Sequence, residues 1–307
     1  MNPGAHVPVL YNEILSGLRP AAGGRYIDGT VGLGGHATGI LEACAPDGQL
    51  LGLDRDPQAL VRAQANLAQY GDRAMLVHRS YEHMALAAKA AGWGAVDGVV
   101  LDLGLSSLQL DTPERGFGFR RAGPLDMRFD PGAPLTAEEI VNAWPQEALA
   151  DVIYRFGEER QSRRIASAVV AARPIRDTQH LAEVVAQAIR GQRTRMHPAT
   201  RTFQALRIAV NGELEALAAT LPQAIGLLRP GGRLAVIAFH SLEDRIVKEA
   251  FRQAGRALYR QPDDPSTQEE REARVRAVTR KPVRPTAREV RANPRSRSAR
   301  LRIVEKR

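Results

Sequence analysis

Cysteine is almost missing from this chain of 307 residues, with Cys44 the single example. An intramolecular disulfide and any multi-cysteine zinc site are therefore excluded, and the usage suits a reducing cytoplasm. Long apolar runs are missing too: none approaches the ~20 residues needed to cross a bilayer. The opening stretch, Met-Asn-Pro-Gly-Ala-His-Val-Pro, has neither the basic nor the apolar region of a signal peptide. No cluster of ligand-type residues suggests a metal. These absences lead us to expect a cytoplasmic protein with no membrane segment and no metal. Hydrophobic residues at 44% and charged residues at 25% are ordinary for a globular chain. The length allows one or two domains and a sizeable core.

Acidic residues are scarce towards the C-terminus. Arg271 to Arg307 hold 14 Lys and Arg against 3 Asp and Glu, while the preceding 270 residues hold 29 basic and 31 acidic groups. The net charge of +9 thus belongs mainly to the C-terminal segment. Such a segment attracts polyanions, usually RNA or DNA, or is a solvated tail.

Residues 24 to 54 organise the rest. A short strand, Arg25 to Ile27, ends at Asp28 and enters a loop with Gly29, Gly32, Gly34 and Gly35. A helix from His36 to Ala43 follows, then a second strand, Gln49 to Leu53, closing on Asp54. Strand, glycine loop, helix, strand and acid is the layout of a nucleotide-type cofactor site. The glycines let backbone approach a ligand, the helix N-terminus offers free N–H groups, and Asp54 can take two ribose hydroxyls. A dinucleotide would bring a pyrophosphate to the helix end, where the carboxylate of Asp28 would repel it. S-adenosylmethionine brings a ribose, a sulfonium and an amino group instead, and fits better.

Further along, Pro57 opens a helix continuing through Ala59 to Tyr70, and Ala74 to His78 reads as a third strand. Tyr81 either offers its ring to adenine or packs on the sheet. Val99 to Leu101, apolar without alternation, reads as a strand buried on both faces. It ends at Asp102, so Asp28, Asp54 and Asp102 all end strands at the edge where open α/β sheets bind ligands.

From Gln109 to about Gly212 little reads as strand. Helices are expected at Thr136 (with a capping-box pattern), Glu147 to Phe156, Ser162 to Ala172 and Gln179 to Ile189. Arg190, Arg193, Arg195, His197, Arg201 and Arg207 either line an RNA path or form a solvated face. The expected organisation is a first part of an α/β domain (1–108), a helical insert for substrate recognition (109–214) and the second part of the α/β domain (215–307). In that second part a turn at Arg229 leads into a buried strand. His240 then either acts on substrate or, as we favour, caps the helix it begins. Residues 261 to 273 read as a flexible loop, with Val278 to Val283 and Arg300 to Glu305 as final strands.

Together these pieces resemble one family. They are His6-Val-Pro-Val-Leu, Tyr26-Ile-Asp-Gly-Thr to Gly34-Gly-His, Leu101-Asp-Leu-Gly, Arg115-Gly-Phe and Gly123-Pro-Leu-Asp-Met-Arg, followed by His197-Pro-Ala-Thr-Arg-Thr-Phe-Gln-Ala-Leu-Arg-Ile, Phe239-His-Ser-Leu-Glu-Asp-Arg and Asn293-Pro-Arg-Ser-Arg-Ser. In order and over nearly the whole chain, they resemble the RsmH (MraW) family of 16S ribosomal RNA cytosine-N4 methyltransferases. Leu108, Gly118, Ala122 and Phe129 depart from the family pattern, and these departures touch the insert's loop. The resemblance implies a class I S-adenosylmethionine-dependent methyltransferase, Rossmann-like with a mostly parallel sheet and an inserted helical domain. It implies methylation of one cytidine near the decoding centre, with 16S rRNA in the small ribosomal subunit as partner. Carried over by position, the cofactor contacts are Gly34, Gly35, His36, Asp54, Tyr81, Asp102 and Gln109. The family supplies His36 and Gln109; from spacing alone His36 is an ordinary first-turn residue.

For that reaction the amine needs positioning and an acceptor beside it, expected from the loop Asp102 to Ser107 with Asp102 as the candidate catalytic residue. The base must also leave its stack. Rival readings are an amino-methyltransferase acting on another RNA or on DNA, an NAD-dependent oxidoreductase, and a non-enzymatic RNA-binding protein. The loop after Val99–Leu101 lacks the Pro-Pro-Tyr of DNA enzymes, Asp28 disfavours NAD, and a mere RNA binder has no need of the glycine loop.

Overall fold

A computed structural model describes residues 8–189, 197–257 and 272–307. It divides into two compact units, Met1–Gly104 with Leu214–Arg307, and Leu105–Glu213. His6 and Val7, Arg190, Arg193 and Arg195, and most of the loop expected at 261 to 273 lie outside the described residues.

The first unit runs α1 (Tyr11–Leu18), β1 (Arg25–Asp28), α2 (Gly35–Ala43), β2 (Gln49–Asp54), α3 (Pro57–Leu67), β3 (Ala74–His78), α4 (Met84–Ala90) and β4 (Val96–Asp102). In the second unit come α5 (Ser107–Asp111), α6 (Ala137–Ala143), α7 (Gln146–Gly157), α8 (Ser162–Ala171), α9 (Thr178–Ala188) and α10 (Thr200–Asn211). The chain closes with α11 (Glu213–Leu227), β5 (Leu228–Ala238), α12 (Ser241–Ala254), β6 (Val275–Ala277), α13 (Ala287–Ala292) and β7 (Arg300–Lys306).

The strands form one sheet in the order β3-β2-β1-β4-β5-β7-β6. β1 to β5 are mutually parallel and β7 is antiparallel to both its neighbours. Neighbouring residues of each central strand serve opposite faces. Ile27, Leu51, Val99, Leu101, Leu234 and Val236 pack with α11 residues such as Leu217 and Leu221. Tyr26, Leu50, Val100, Ala235 and Ile237 pack with Ile14, Ile40 and Leu67 from α1 to α3. This two-sided burial explains why the strands read as unbroken apolar runs. The strand order reverses between β1 and β4, which opens a crevice at the carboxyl edge there. Asp28 pairs in register with Gly52 and Val100, so Asp54 and Asp102 reach two residues beyond it on either side.

The β5–β7 pairing is reinforced beneath the surface. Arg233 donates from Nε and Nη2 to Glu305 Oε2 at 3.0 and 2.8 Å and from Nη1 to the Gly17 carbonyl at 2.7 Å. Glu305 Oε1 receives both Arg276 bonds, at 2.9 and 2.6 Å.

The last strands differ from expectation. The ladder covers Val275–Ala277 rather than Val278 to Val283. Beyond Ala277 the N–H groups of Val278 and Thr279 both donate to the Ile303 carbonyl, and Thr279 Oγ1 accepts from Ile303 N–H. Two donors on one carbonyl break the register, and only a bridge from Val283 to Leu301 follows. Likewise α3 stops at Leu67 and gives way to a 3₁₀ turn ending at Arg73, because Gly71 takes φ +52°.

The second unit has its own core, in which Met127, Ile140, Ile153, Ile165, Leu181, Val185 and Leu206 meet. The segment from Gly123 to Phe129 is pinned by α10: Asn211 accepts from Phe129 N–H and donates to the Met127 carbonyl, both at 2.7 Å. Arg115 Nη2 donates to the carbonyls of Arg128 and Phe129 at 2.9 Å each.

Candidate active site

Four elements of the first unit bring the site together. β1, β2 and β4 deliver the acids, and the loop between β1 and α2 wraps their ends. Thr30 ties the first and third acids: its N–H donates to Asp28 Oδ1 at 3.0 Å, its hydroxyl lies 3.4 Å from the same oxygen, and that hydroxyl accepts from the Asp102 N–H at 2.7 Å. Asp54 holds the loop itself. Its Oδ2 accepts from Gly32 N–H at 2.8 Å and its Oδ1 from Asp56 N–H at 2.9 Å. Both oxygens expected to face a ribose thus already anchor backbone.

Of the loop glycines, Gly32 alone combines a left-handed φ (+51°) with open space around a would-be side chain. Methyl groups at Gly29 and Gly35 would instead come within 2.5 Å of Leu101 Cδ2 and Pro8 Cγ. Gly34 precedes α2 at φ +87°.

His36, in the first turn of α2, is 5% exposed and places Nε2 3.5 Å from Asp102 Oδ2. The pair lies within ion-pair reach without hydrogen-bond geometry: both His36 nitrogens and Asp102 Oδ1 are buried with no hydrogen-bond partner. Tyr11 stacks against His36 with centroids 6.2 Å apart. Burial pushes the Asp28 carboxyl up to about 7; Asp102 and Asp54 add to the rise, and His36 and Thr30 oppose it. Asp54 is raised to about 6, again mainly by burial, against the backbone donors at Asp56 and Gly32. Burial alone would lower His36, yet the carboxylates of Asp102 and Asp28 outweigh it and hold it above its ordinary value.

Tyr81 opens a 3₁₀ turn after β3, capped by Ser80, and packs against the core face built on Leu101 and Met84. Gln109 belongs to the second unit, where its side chain accepts from Ser106 N–H and its own N–H donates to Ser106 Oγ, a complete capping box on α5. Within the loop Asp102 to Ser107, expected to supply an acceptor for substrate, the Ser106 hydroxyl is engaged there. His240 caps α12, its Nδ1 receiving the Glu243 N–H at 3.4 Å. Sequence reading missed Thr30, which couples two acids; the Asp-Gly-Thr spacing was its only signal. It also missed Pro8 and Tyr11, which pack on α2 from the start of the described chain.

The family model for the MraW methylase family matches residues 4–307. The chain belongs to the MraW methylase family. Ribosomal RNA small subunit methyltransferase H of Thermomicrobium roseum is 53% identical to this methylase over 304 residues, 98% of this chain and 93% of that protein. The protein of the same name from Symbiobacterium thermophilum is 51% identical over 306 residues, with 98% and 96% covered. A solved rRNA methylase from Streptococcus thermophilus resembles it more distantly, with a TM-score of 0.43 at 11% identity and coverage of 98% and 99%.

The methylase is an S-adenosylmethionine-dependent enzyme, and its strand-edge chemistry fits that cofactor. Carboxylates complement the positive sulfonium and ammonium, and the unpartnered His36 and Asp102 atoms are polar groups of the kind a bound ligand satisfies. Among the described residues no group of His, Cys, Asp and Glu could hold a metal ion, and no helix is long and apolar enough to cross a membrane.

Proposed function

We propose that this methylase acts on the RNA of the small ribosomal subunit and methylates the exocyclic N4 of one cytidine in 16S rRNA near the decoding centre. The observation that carries the reading is the near-complete match, at about half identity, to small-subunit rRNA methyltransferases H. The finer cytosine-N4 assignment is supported by the motif resemblance.

In this reading Gly34, Gly35 and His36 line the cofactor's path over the start of α2. Asp54 takes the ribose and Tyr81 flanks the adenine. When bound, S-adenosylmethionine supplies an electrophilic methyl group on a positive sulfur. Asp102 then has two tasks. Its Oδ2 stays beside His36, and the quarter-exposed carboxylate accepts a hydrogen bond from the cytosine amine. That bond draws nitrogen lone-pair density out of conjugation and stabilises positive charge developing on nitrogen. Most of the remaining rate comes from orientation. The helical unit recognises the RNA around the target.

The test is transfer of labelled methyl from S-adenosylmethionine to small ribosomal subunits lacking the modification, followed by nucleoside analysis. N4-methylated cytidine, lost with Asp102→Ala, is the expected result. Label in another nucleoside overturns the cytosine assignment, and no label in RNA overturns the substrate class.

A further inference from the structure

The basic C-terminal segment separates into two populations once its contacts are known. Arg276 binds Glu305, and Arg300 and Arg302 both bind Asp244, at 3.0 and 2.7 Å. Lys306 donates to the Ile225 carbonyl at 2.7 Å. These cations tie β6 to β7 and β7 to α11 and α12. Between residues 280 and 297 the situation differs. Arg280, Lys281, Arg284, Arg288, Arg291 and Arg297 are all exposed, and none pairs with a carboxylate among the described residues. The one acid in this stretch, Glu289, turns away from them: its Oε1 accepts the Leu10 N–H at 2.8 Å.

The backbone under these cations is firmly held. Val283 exchanges both backbone hydrogen bonds with Leu301, at 2.9 Å each. Thr286 caps α13, and Ser296 is fully buried. The turn at Pro294–Ser298 leads straight into β7, whose Arg300 pairs with Ala238 while Ile237 pairs with Asp102. The segment therefore enters the sheet at the edge where the strand-end acids lie. Its other tether reaches the site from the side. Leu10 adjoins Tyr11, which stacks on His36, and Pro8 abuts Gly35.

From this arrangement we propose that residues 280–297 are a docking surface for the phosphodiester backbone of the substrate RNA, placed to hold the strand beside the crevice. The proposal rests on the RNA reading above. Unpaired, exposed cations on a fixed backbone release counterions from RNA without first breaking an internal ion pair. Cations already bound to carboxylates lack that advantage. Orientation of a phosphate chain, and no base readout, is what such a surface supplies. Base choice stays with the crevice.

The test uses the full chain carrying Arg284→Gln, Arg288→Gln and Arg291→Gln together, which leaves Glu289 and its bond to Leu10 in place. Arg62→Gln with Lys89→Gln, exposed cations on α3 and α4, serves as the control. Binding of a fluorescein-labelled single-stranded fragment of 16S rRNA is followed by anisotropy across a salt series, and methyl transfer to unmodified subunits is measured alongside. At about −0.7 in log–log slope per phosphate contact, the triple variant loses about 2 from its salt slope and roughly fiftyfold in affinity near physiological salt. The KM for subunits rises and the control matches the wild type. A triple variant that binds and methylates like the control overturns the docking surface and leaves the RNA reading standing. Wild type that neither binds RNA nor labels subunits overturns both. An unchanged urea midpoint in the triple variant separates lost contacts from lost structure.

Discussion

Asp28 offers the sharpest quantitative test of the site's electrostatics. Its carboxyl is 1% exposed and titrates at about 7 in the fold, against 3.8 ordinarily. The folded state therefore holds a proton that the unfolded chain releases. Stability gained in this way is complete below about pH 4 and is lost as pH rises through about 7. Between about pH 5 and pH 7 the wild type loses roughly 2.5 kcal/mol through this one group, at about 1.36 kcal/mol per unit. Asp28→Asn keeps the oxygen that accepts the Thr30 N–H and cannot ionise. The slope assigned to Asp28 disappears, while those of Asp54 and His36, both raised, remain and act in the same direction. The assay is urea unfolding at a series of pH values. The two units need not melt together, and each holds one of the two tryptophans, Trp93 and Trp144. A Trp144→Phe background makes fluorescence report the sheet unit alone. Equal pH slopes for Asp28→Asn and its parent would refute the buried, protonated carboxyl.

Three further outcomes follow from the same geometry. Asp102→Asn keeps the shape of the crevice but turns a carboxylate into an amide, and kcat for methyl transfer falls by about 10²-fold or more with KM little changed; full activity removes Asp102 from the chemistry. Glu305→Ala strands Arg233, which is 7% exposed, and costs about 3–5 kcal/mol in urea unfolding; a loss under about 1 kcal/mol means that Arg233 finds water or another acceptor. Gly32→Ala meets open space but must take a left-handed φ of +51°, so stability drops by about 1 kcal/mol. Calorimetry would then show weaker S-adenosylmethionine binding if the loop's shape matters to the ligand, and unchanged affinity excludes that.

Strand-end acids and a glycine loop were legible because both obey local rules. A doubly buried strand is an apolar run, and a tight βα turn requires glycine. What each group does there depended on partners distant in sequence. Asp54 reads as free for a ribose until Gly32 and Asp56 are seen bonded to it. His36 stands out only once Asp102 is beside it. The helix α10 was obscured by its arginines, although Phe203, Leu206 and Val210 bury the opposite face. The last strand pair was misplaced by a few residues because a shared carbonyl, invisible in composition, ends the ladder at Ala277. Net charge pointed to the C-terminal segment, yet ion-pair partners decide which of its cations are free.

The helical unit is one uninterrupted stretch, Leu105–Glu213, whereas the sheet unit is assembled from both flanks of it. During synthesis every residue of the helical core is made before β5. β4, which must pair Val99 with Leu234, waits meanwhile with one edge open. An unpaired apolar edge is an aggregation hazard. The helical unit can collapse on its own core in that interval, which replaces a long floppy loop by a compact one and lowers the entropy cost of bringing β5 back to β4. Destabilising the helical core, far from any strand, should then show itself as poor yield of correctly folded sheet.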